Sequence, residues 1–410
     1  MDTASTVQAH GQRLRERAQE LKAMDPARIG EALIEAMRGL ARWTGQPAVE
    51  LRQAIQEETG LAAELIEWGL DRSLASFERN ALERLLAQCE GDAQLQVVSP
   101  ELTAVILAGN VFTAALRAVA LPLLARSPVL VKAPTGGAAL VSAMIDALDA
   151  VDEVVSDQVR LVTFGRDDQA ATGSLLRVAD TVAVYGDDQT LCAIRGLCPA
   201  RTRIVPHGHG VSAAYVPRGA LADRARVRAV ARRLANDVVA YDQLGCLSPQ
   251  VVLVQSGGVV DTVGFAGALH EALDELEPLL PRGLLPKEVL PQIAQWRGVA
   301  AARGTVFQGA GHLCAAESGA LRLGPGYRHV GVYGCAGVGD LGQKLRPMGG
   351  HLKSLGVAGG VGDRTEVALS LPTGLAPRIC PIGTMQTPPL DAYFDGLPPF
   401  AGLLSYVQVA

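Results

Sequence analysis

The chain has 410 residues, 49% of them hydrophobic and 19% charged, with a net charge of −5. That composition excludes a disordered chain, and the acidic balance argues against nucleic acid as a main partner. Seven cysteines, with no C-x-x-C and no Cys/His pair at zinc spacing, form neither a disulfide framework nor a metal site, which fits a reducing, cytoplasmic setting.

The opening stretch MDTASTVQAHGQRLRERAQELK is too polar for a signal peptide. Residues 1–94 read as helices, because Leu14, Ala18 and Leu21, then Leu33, Met37 and Leu40, then Leu61, Leu65 and Trp68 mark apolar stripes. Asp25-Pro26 and Gly45-Gln46-Pro47 punctuate them. No chemistry is legible in this helical cap.

From Leu95 short apolar runs alternate with helical patterns. The runs are TAVILAG (103–109), PVLVKAP (128–134), VRLVTFG (159–165), TVAVYG (181–186) and TRIVP (202–206). Helical patterns lie between them at Phe112–Arg126, Ala138–Leu148 and Gln189–Leu197. Leu102–Leu116 is broken by Gly109 and Asn110, so it reads as strand plus helix and not as a membrane span. Near-continuous apolar strands separated by helices predict a parallel sheet covered on both faces. Right-handed crossovers then bring the strand ends to one edge, where open α/β sheets bind ligands. Those ends are Gly109-Asn110, Pro134-Thr135, Gly165-Arg166, Gly186-Asp187 and Pro206-His207. No strand is followed by G-x-G-x-x-G, the common dinucleotide fingerprint. Lys132 stands out inside PVLVKAP. A lysine there is costly to bury without a partner, although a snorkelling surface lysine would read the same way.

Residues 211–377 form a second α/β unit, with strands SAAYV (212–216), QVVLVQ (250–255) and HVGVYG (329–334). Its helical patterns lie around Gly219–Val239, Thr262–Leu276 and Pro286–Trp296. Arg224, Arg228 and Arg232 oppose the stripe Val227, Val230, Ala231, Leu234 and Val238, as on the outer face of an amphipathic helix. A short loop, Asp242-Gln243-Leu244-Gly245, then carries Cys246 towards a buried strand. A nucleophilic thiol suits that position, but a free cysteine also packs as a small hydrophobe. Cys192 and Cys198 lie in a helix-like stretch and read as core. Residues 378–410 are rich in proline and are expected to end in a short apolar helix, Phe400–Val409.

The order of these features resembles the aldehyde dehydrogenase superfamily: a strand ending in Asn, one ending in Lys-x-Pro, a glycine-bearing strand end and a late cysteine. More narrowly, AGNVFTAALRAVALPLL (108–124), VAVYGDDQTLCAIR (182–195), GCLSPQVVLV (245–254) and RICPIGTMQTPPLDAYFDGLPPF (378–400) resemble the acyl-CoA reductase family typified by LuxC. The resemblance implies an aldehyde-dehydrogenase-like α/β fold. It divides into a helical N-terminal region (1–94), a Rossmann-type cofactor domain (95–210), a cysteine-bearing catalytic domain (211–377) and a C-terminal segment (378–410) that returns to the cofactor domain or an oligomer interface.

Carried across by position, Cys246 matches the nucleophile and Asn110 the amide donor of the oxyanion hole. Lys132 matches the lysine that holds the adenosine ribose. Thr135, Gly165 and Gly186 join it as cofactor-binding residues, Gly186 at the pyrophosphate turn. Asp187 and Asp188 would repel a pyrophosphate and are expected to cap the helix after them. Three departures matter. Pro206-His207-Gly208-His209-Gly210 stands where hydrolytic members carry the glutamate that activates water. The Glu-x-Phe-Gly-Pro string that grips the nicotinamide ribose has no counterpart. Thr135 replaces the glutamate that reads the ribose of NAD.

The implied activity is NADPH-dependent reduction of a fatty acyl-CoA or acyl-protein thioester to the aldehyde through an acyl-cysteine. His207 and His209 are the nearest proton-shuttle candidates, though both could equally be turn residues. An oxidative CoA-acylating aldehyde dehydrogenase and a catalytically silent acyl-binding scaffold are the competing readings. An acyl-protein synthetase or carrier protein and a second copy of the chain are the implied partners.

Overall fold

The computed structural model describes residues 2–90 and 94–408. Helices Thr3–Ala23, Pro26–Ala41, Gly45–Thr59, Ala63–Ala75 and Arg79–Gln88 build the N-terminal region. Asp2 and Asp25 cap the first two by accepting backbone N–H bonds, and Pro26 opens the second, where its missing N–H costs nothing.

After β1 (Leu95–Val98) come β2 (Thr103–Ile106), β3 (Val129–Ala133), β4 (Val159–Thr163), β5 (Thr181–Tyr185) and β6 (Arg203–His207). The last five form one parallel sheet in the order β4-β3-β2-β5-β6. The chain therefore winds outward from β2 in both directions, and a crevice opens where β2 and β5 end. Helices cover both faces. Thr3–Ala23 packs on Gln169–Val178, and a Cβ on Gly11 would stand 2.6 Å from Val178 Cγ2, so only glycine admits that approach. Pro26–Ala41 packs with Ala114–Leu124 and Ala139–Asp149 on the opposite face. The N-terminal helices thus share a continuous apolar core with this sheet.

The second sheet contains β7 (Val211–Val216), β8 (Pro249–Gln255), β9 (Gly304–Gln308), β10 (Leu313–Glu317), β11 (His329–Cys335), β12 (Leu352–Val357) and β13 (Arg378–Pro381). Its order is β13-β12-β7-β8-β11-β10-β9, parallel except where β9 meets β10. Helices Arg224–Val239 and Thr262–Leu276 cover one face through Val227, Leu234, Phe265 and Leu269. The sequence reading missed β9, β10, β12 and β13. Leu-Cys-Ala-Ala-Glu and Leu-Lys-Ser-Leu-Gly-Val carry few β-branched residues, so tertiary pairing overrides weak local preference there.

Two expectations fail. The tail is not helical over Phe400–Val409. Gly402 sits at φ +80°, and Ser405–Gln408 forms β14, antiparallel to β1. Val409 lies outside the described residues. Cys192 is not core either, being exposed on helix Asp188–Leu197, whereas Cys198, half-buried at the end of that helix, packs against the core of the first sheet. Before reaching β14 the tail lies on β6, where Arg203 donates to the carbonyls of Gly402 (3.3 Å) and Leu404 (3.0 Å).

Candidate active site

Helix Arg224–Val239 ends in a tight turn, where Tyr241, Asp242 and Gln243 adopt φ of 51°, 50° and 62°. Three consecutive non-glycine residues in the left-handed region cost on the order of 1–3 kcal/mol each and persist only where contacts over-determine them. Each has such contacts. The Tyr241 hydroxyl bonds Thr113 Oγ1 (2.8 Å) and its ring packs edge-on against Trp68 and Phe112. The Asp242 carboxylate accepts from Nε of the fully buried Arg328 (2.9 Å), whose Nη2 stands 2.7 Å away in the same ion pair, and from Gly283 N–H (2.8 Å). Burial pushes the Asp242 carboxyl up, and Arg328 pulls it back. The Gln243 amide donates to Pro249 O (2.8 Å) and accepts from His329 N–H (2.7 Å).

This braced turn delivers Cys246. Its side chain is accessible, while Ser212 Oγ holds its carbonyl at 2.8 Å. The protein crowded around the thiol pushes its pKa up. Lys353 pulls it down, Asp395 raises it, and the residue's own N–H lowers it. Lys353 and Asp395 form an ion pair with each other. The same pair acts on His207. That imidazole ends β6 and stacks on Tyr185 at the end of β5, with ring centroids 4.3 Å apart. Burial pushes His207 down to about 4, against the pull of Asp395 and with help from Arg117 and Lys353. Burial likewise pushes Tyr185 up to about 12; Arg117 opposes this, while Cys246 and Asp395 add to it. Cys246, His207 and Tyr185 therefore border one site.

The proline-rich string forms its wall. Arg117 donates to the carbonyls of Pro389 (3.3 Å), Leu390 and Ala392 (2.7 Å), and its guanidinium lies 4.5 Å from the Phe394 ring centroid. Gln386 donates to Ser248 Oγ at 2.9 Å, just beyond the cysteine. Sequence reasoning missed Arg117, Tyr185, Lys353 and Asp395 as site residues. Arg117, Tyr185 and Asp395 lie in the strings 108–124, 182–195 and 378–400 that carry the resemblance, Lys353 lies in none, and no spacing connects any of them to Cys246.

The oxyanion candidate Asn110 is exposed on the loop after β2. Its neighbour Val111 lies against the cysteine loop, with Cγ2 3.4 Å from where a Cβ on Gly245 would stand. Lys132 is half-buried, with its amine 5.4 Å from the Phe164 ring centroid, and burial together with Arg166 lowers its pKa. Arg166 also acts on the Asp187 carboxyl, which the Thr190 hydrogen bonds and then Arg166 hold below its usual range. Thr135 is exposed in a turn completed by Gly136 at φ +72°. Gly165 is exposed, and a Cβ there would meet nothing within 4 Å. At Gly186 a Cβ would stand 2.9 Å from Thr190 Cγ2. Asp187 caps the following helix through Thr190 N–H (2.7 Å), whereas Asp188 sits inside it and faces His351 at 3.8 Å. His209 parts from His207, its carbonyl accepting from His351 Nδ1 at 3.2 Å.

The N-terminal region reaches this edge as well. Glu58 accepts from Ala138 N–H (3.0 Å) and Ala139 N–H (3.1 Å), closing the helix that follows the Thr135 turn. Together with Gly109, Phe112, Gly136 and Gly137 it lines a small cavity.

A crevice-forming parallel sheet beside a second sheet that presents a braced cysteine is the architecture of the aldehyde dehydrogenases. The structure of an NADP-dependent enzyme from E. coli superposes with a TM-score of 0.77 at 14% identity, covering 99% of this chain and 90% of that one. Aldehyde dehydrogenase 21 from Physcomitrella patens, solved with its product succinate, gives 0.74 at 12% identity, over 100% and 91% of the two chains. An NADP-dependent glyceraldehyde-3-phosphate dehydrogenase from Bacillus halodurans C-125, complexed with NADP, gives 0.71 at 13%, over 99% and 92%. No curated protein matches the sequence. The model of the acyl-CoA reductase (LuxC) family matches residues 90–406, and the chain belongs to that family. It is an oxidoreductase that acts on aldehyde or acyl groups. Among the described residues no helix is long and apolar enough to cross a membrane.

Proposed function

We propose that the protein reduces a fatty acyl thioester, carried by CoA or by a protein, to the aldehyde at the expense of NADPH through an acyl-Cys246 intermediate. The observation that carries this reading is the convergence of Cys246 and His207 on one Lys353–Asp395 ion pair. Lys353 favours the thiolate that attacks the thioester carbonyl. The Cys246 N–H and the Asn110 amide bind the resulting oxyanion, where one missing donor costs about a hundredfold or more. Collapse expels the donor thiol and leaves the acyl-enzyme. The hydride that reduces the acyl carbon comes from bound NADPH. Hydride addition leaves a thiohemiacetal oxyanion that takes one proton from solvent; the thiohemiacetal then loses this hydroxyl proton, releases the aldehyde and returns sulfur to Cys246 as the thiolate. His207, held neutral by burial, accepts that proton and passes it back to the thiolate.

The cofactor edge fits a dinucleotide phosphate. Lys132 and Arg166 are neighbouring cations that a phosphate can pair, Arg166 being shared with the Asp187 carboxylate. Asp395, committed to Lys353, is a poor base towards water, so the acyl-enzyme is protected from hydrolysis. The test is incubation with labelled fatty acyl-CoA, followed by peptide mapping with and without NADPH. A label on the Cys246 peptide that persists alone and leaves as aldehyde on adding NADPH is expected. Rapid release of free fatty acid, or no label, overturns the reading.

A further inference from the structure

A second set of donors lies where helix Thr262–Leu276 meets the β9–β10 hairpin. His270 and Asp274 stand one turn apart on the helix, and His312 lies in the hairpin turn immediately before β10. One donor atom from each lies within 4.8 Å of the others. His270 Nδ1 is 2.9 Å from His312 Nε2, and His270 Nε2 is 3.3 Å from Asp274 Oδ2. Asp274 Oδ1 is 3.9 Å from His312 Nε2.

Two observations orient the donors. His312 is only 3% exposed, and its Nδ1, which has no hydrogen-bond partner, lies on the Gly309 side of the ring, so Nε2 is the nitrogen it turns towards His270 and Asp274. The second lies at Gly309. A Cβ there would stand 2.7 Å from His312 Nδ1 and 2.6 Å from Asp274 Oδ1. The gap between imidazole and carboxylate exists because that residue has no side chain.

We propose that His270, Asp274 and His312 bind a divalent transition-metal ion of the zinc class, with a further position open to solvent beside Asp274. Two imidazoles and a carboxylate suit zinc, whereas magnesium and calcium prefer all-oxygen sites. Metal–ligand bonds of about 2.0–2.1 Å in tetrahedral geometry space neighbouring donors by about 3.3 Å. With His270 Nδ1 and His312 Nε2 as donors the two nitrogens stand 2.9 Å apart and Asp274 Oδ1 is 3.9 Å from His312 Nε2, and rotation of the half-exposed Asp274 carboxylate closes the remainder. Bound there, the ion clips the helix to the edge hairpin of the second sheet. The residues lie outside the cysteine site, so the proposal stands whether or not thioester reduction is the reaction.

The experiment uses the full-length chain without an affinity tag, stripped with chelator and titrated with zinc, cobalt(II) or magnesium. One zinc per chain is expected, with a raised Tm that magnesium does not produce. Cobalt(II) should give ligand-field bands without the thiolate charge-transfer absorption that a cysteine ligand adds. His270→Gln and Asp274→Asn, both on the accessible side, should each weaken zinc binding by about a hundredfold or more while leaving the metal-free Tm unchanged. Gly309→Ala, whose Cβ would stand 2.2 Å from Cε1 of the buried His312, should weaken zinc binding and also lower the metal-free Tm. Zinc binding that survives in the His270→Gln, Asp274→Asn double variant overturns the proposal. So does a cobalt spectrum carrying a thiolate band that Cys246→Ala removes, or no zinc bound at all.

Discussion

The two sheets present their chemistry in different ways. Along the first, each residue of interest sits at the end of its own strand: Asn110 after β2, Lys132 in β3, Gly186 after β5, His207 in β6. The parallel topology alone lines these ends up. In the second sheet a single cysteine is braced by Thr113, Pro249, Gly283, Arg328 and His329, and is faced by Lys353 and Asp395. A site built from strand ends tolerates sequence change anywhere but at those ends. A strained loop depends on distant partners, and its failures should be global.

The sharpest test of that contrast is at the loop itself. Cys246→Ala should abolish acyl transfer and reduction while barely moving the Tm, because it removes one accessible sulfur and leaves no core cavity. Activity near that of the unaltered protein would remove the cysteine from the mechanism.

Arg328→Met should show the dependence on distant partners. It strands the Asp242 carboxylate in the interior, a change that typically costs about 3–5 kcal/mol, and releases the left-handed turn. Denaturant unfolding and acyl-transfer rate should fall together. A stable variant with normal kcat would mean that the turn holds without its brace.

The charges facing the thiol should be separable by sign. Lys353→Met removes the cation that lowers the Cys246 pKa, so the thiolate fraction at neutral pH falls and the pH midpoint of alkylation moves up. Asp395→Asn removes the opposing charge, and the midpoint moves down. Alkylation rate against pH reads both, and shifts of the same sign would contradict the assigned geometry. His207, already neutral above about pH 4, should contribute no inflection near the ordinary histidine range.

The smallest and most local effect is expected at Thr135, on the strand-end side. At an effective dielectric near 20, unit charges ~4 Å apart interact by roughly 4 kcal/mol, and a fraction of that excludes a 2′-phosphate. Thr135→Glu should lower the NADPH-to-NADH ratio of kcat/KM by about tenfold or more without changing the Tm. An unchanged ratio would detach this turn from cofactor choice.

Much of this protein was legible before any tertiary contact was known. The buried strands announce themselves as apolar runs, the cysteine lies where a helix gives way to one of them, and Asp187 caps its helix as the sequence predicts. Those features depend on neighbours within a few residues, through periodicity, capping and turn chemistry. What was not legible has the opposite character. The tail became a strand because β1 offered a partner, and a pairing partner leaves no mark on local propensity. Glu58 reaches across to the helix after the Thr135 turn from a region that showed no chemistry in sequence. Arg117, Lys353 and Asp395 became site residues because a proline-rich string folds back over the cysteine. Charge acts through space, and only the fold decides which distant charges a thiol meets.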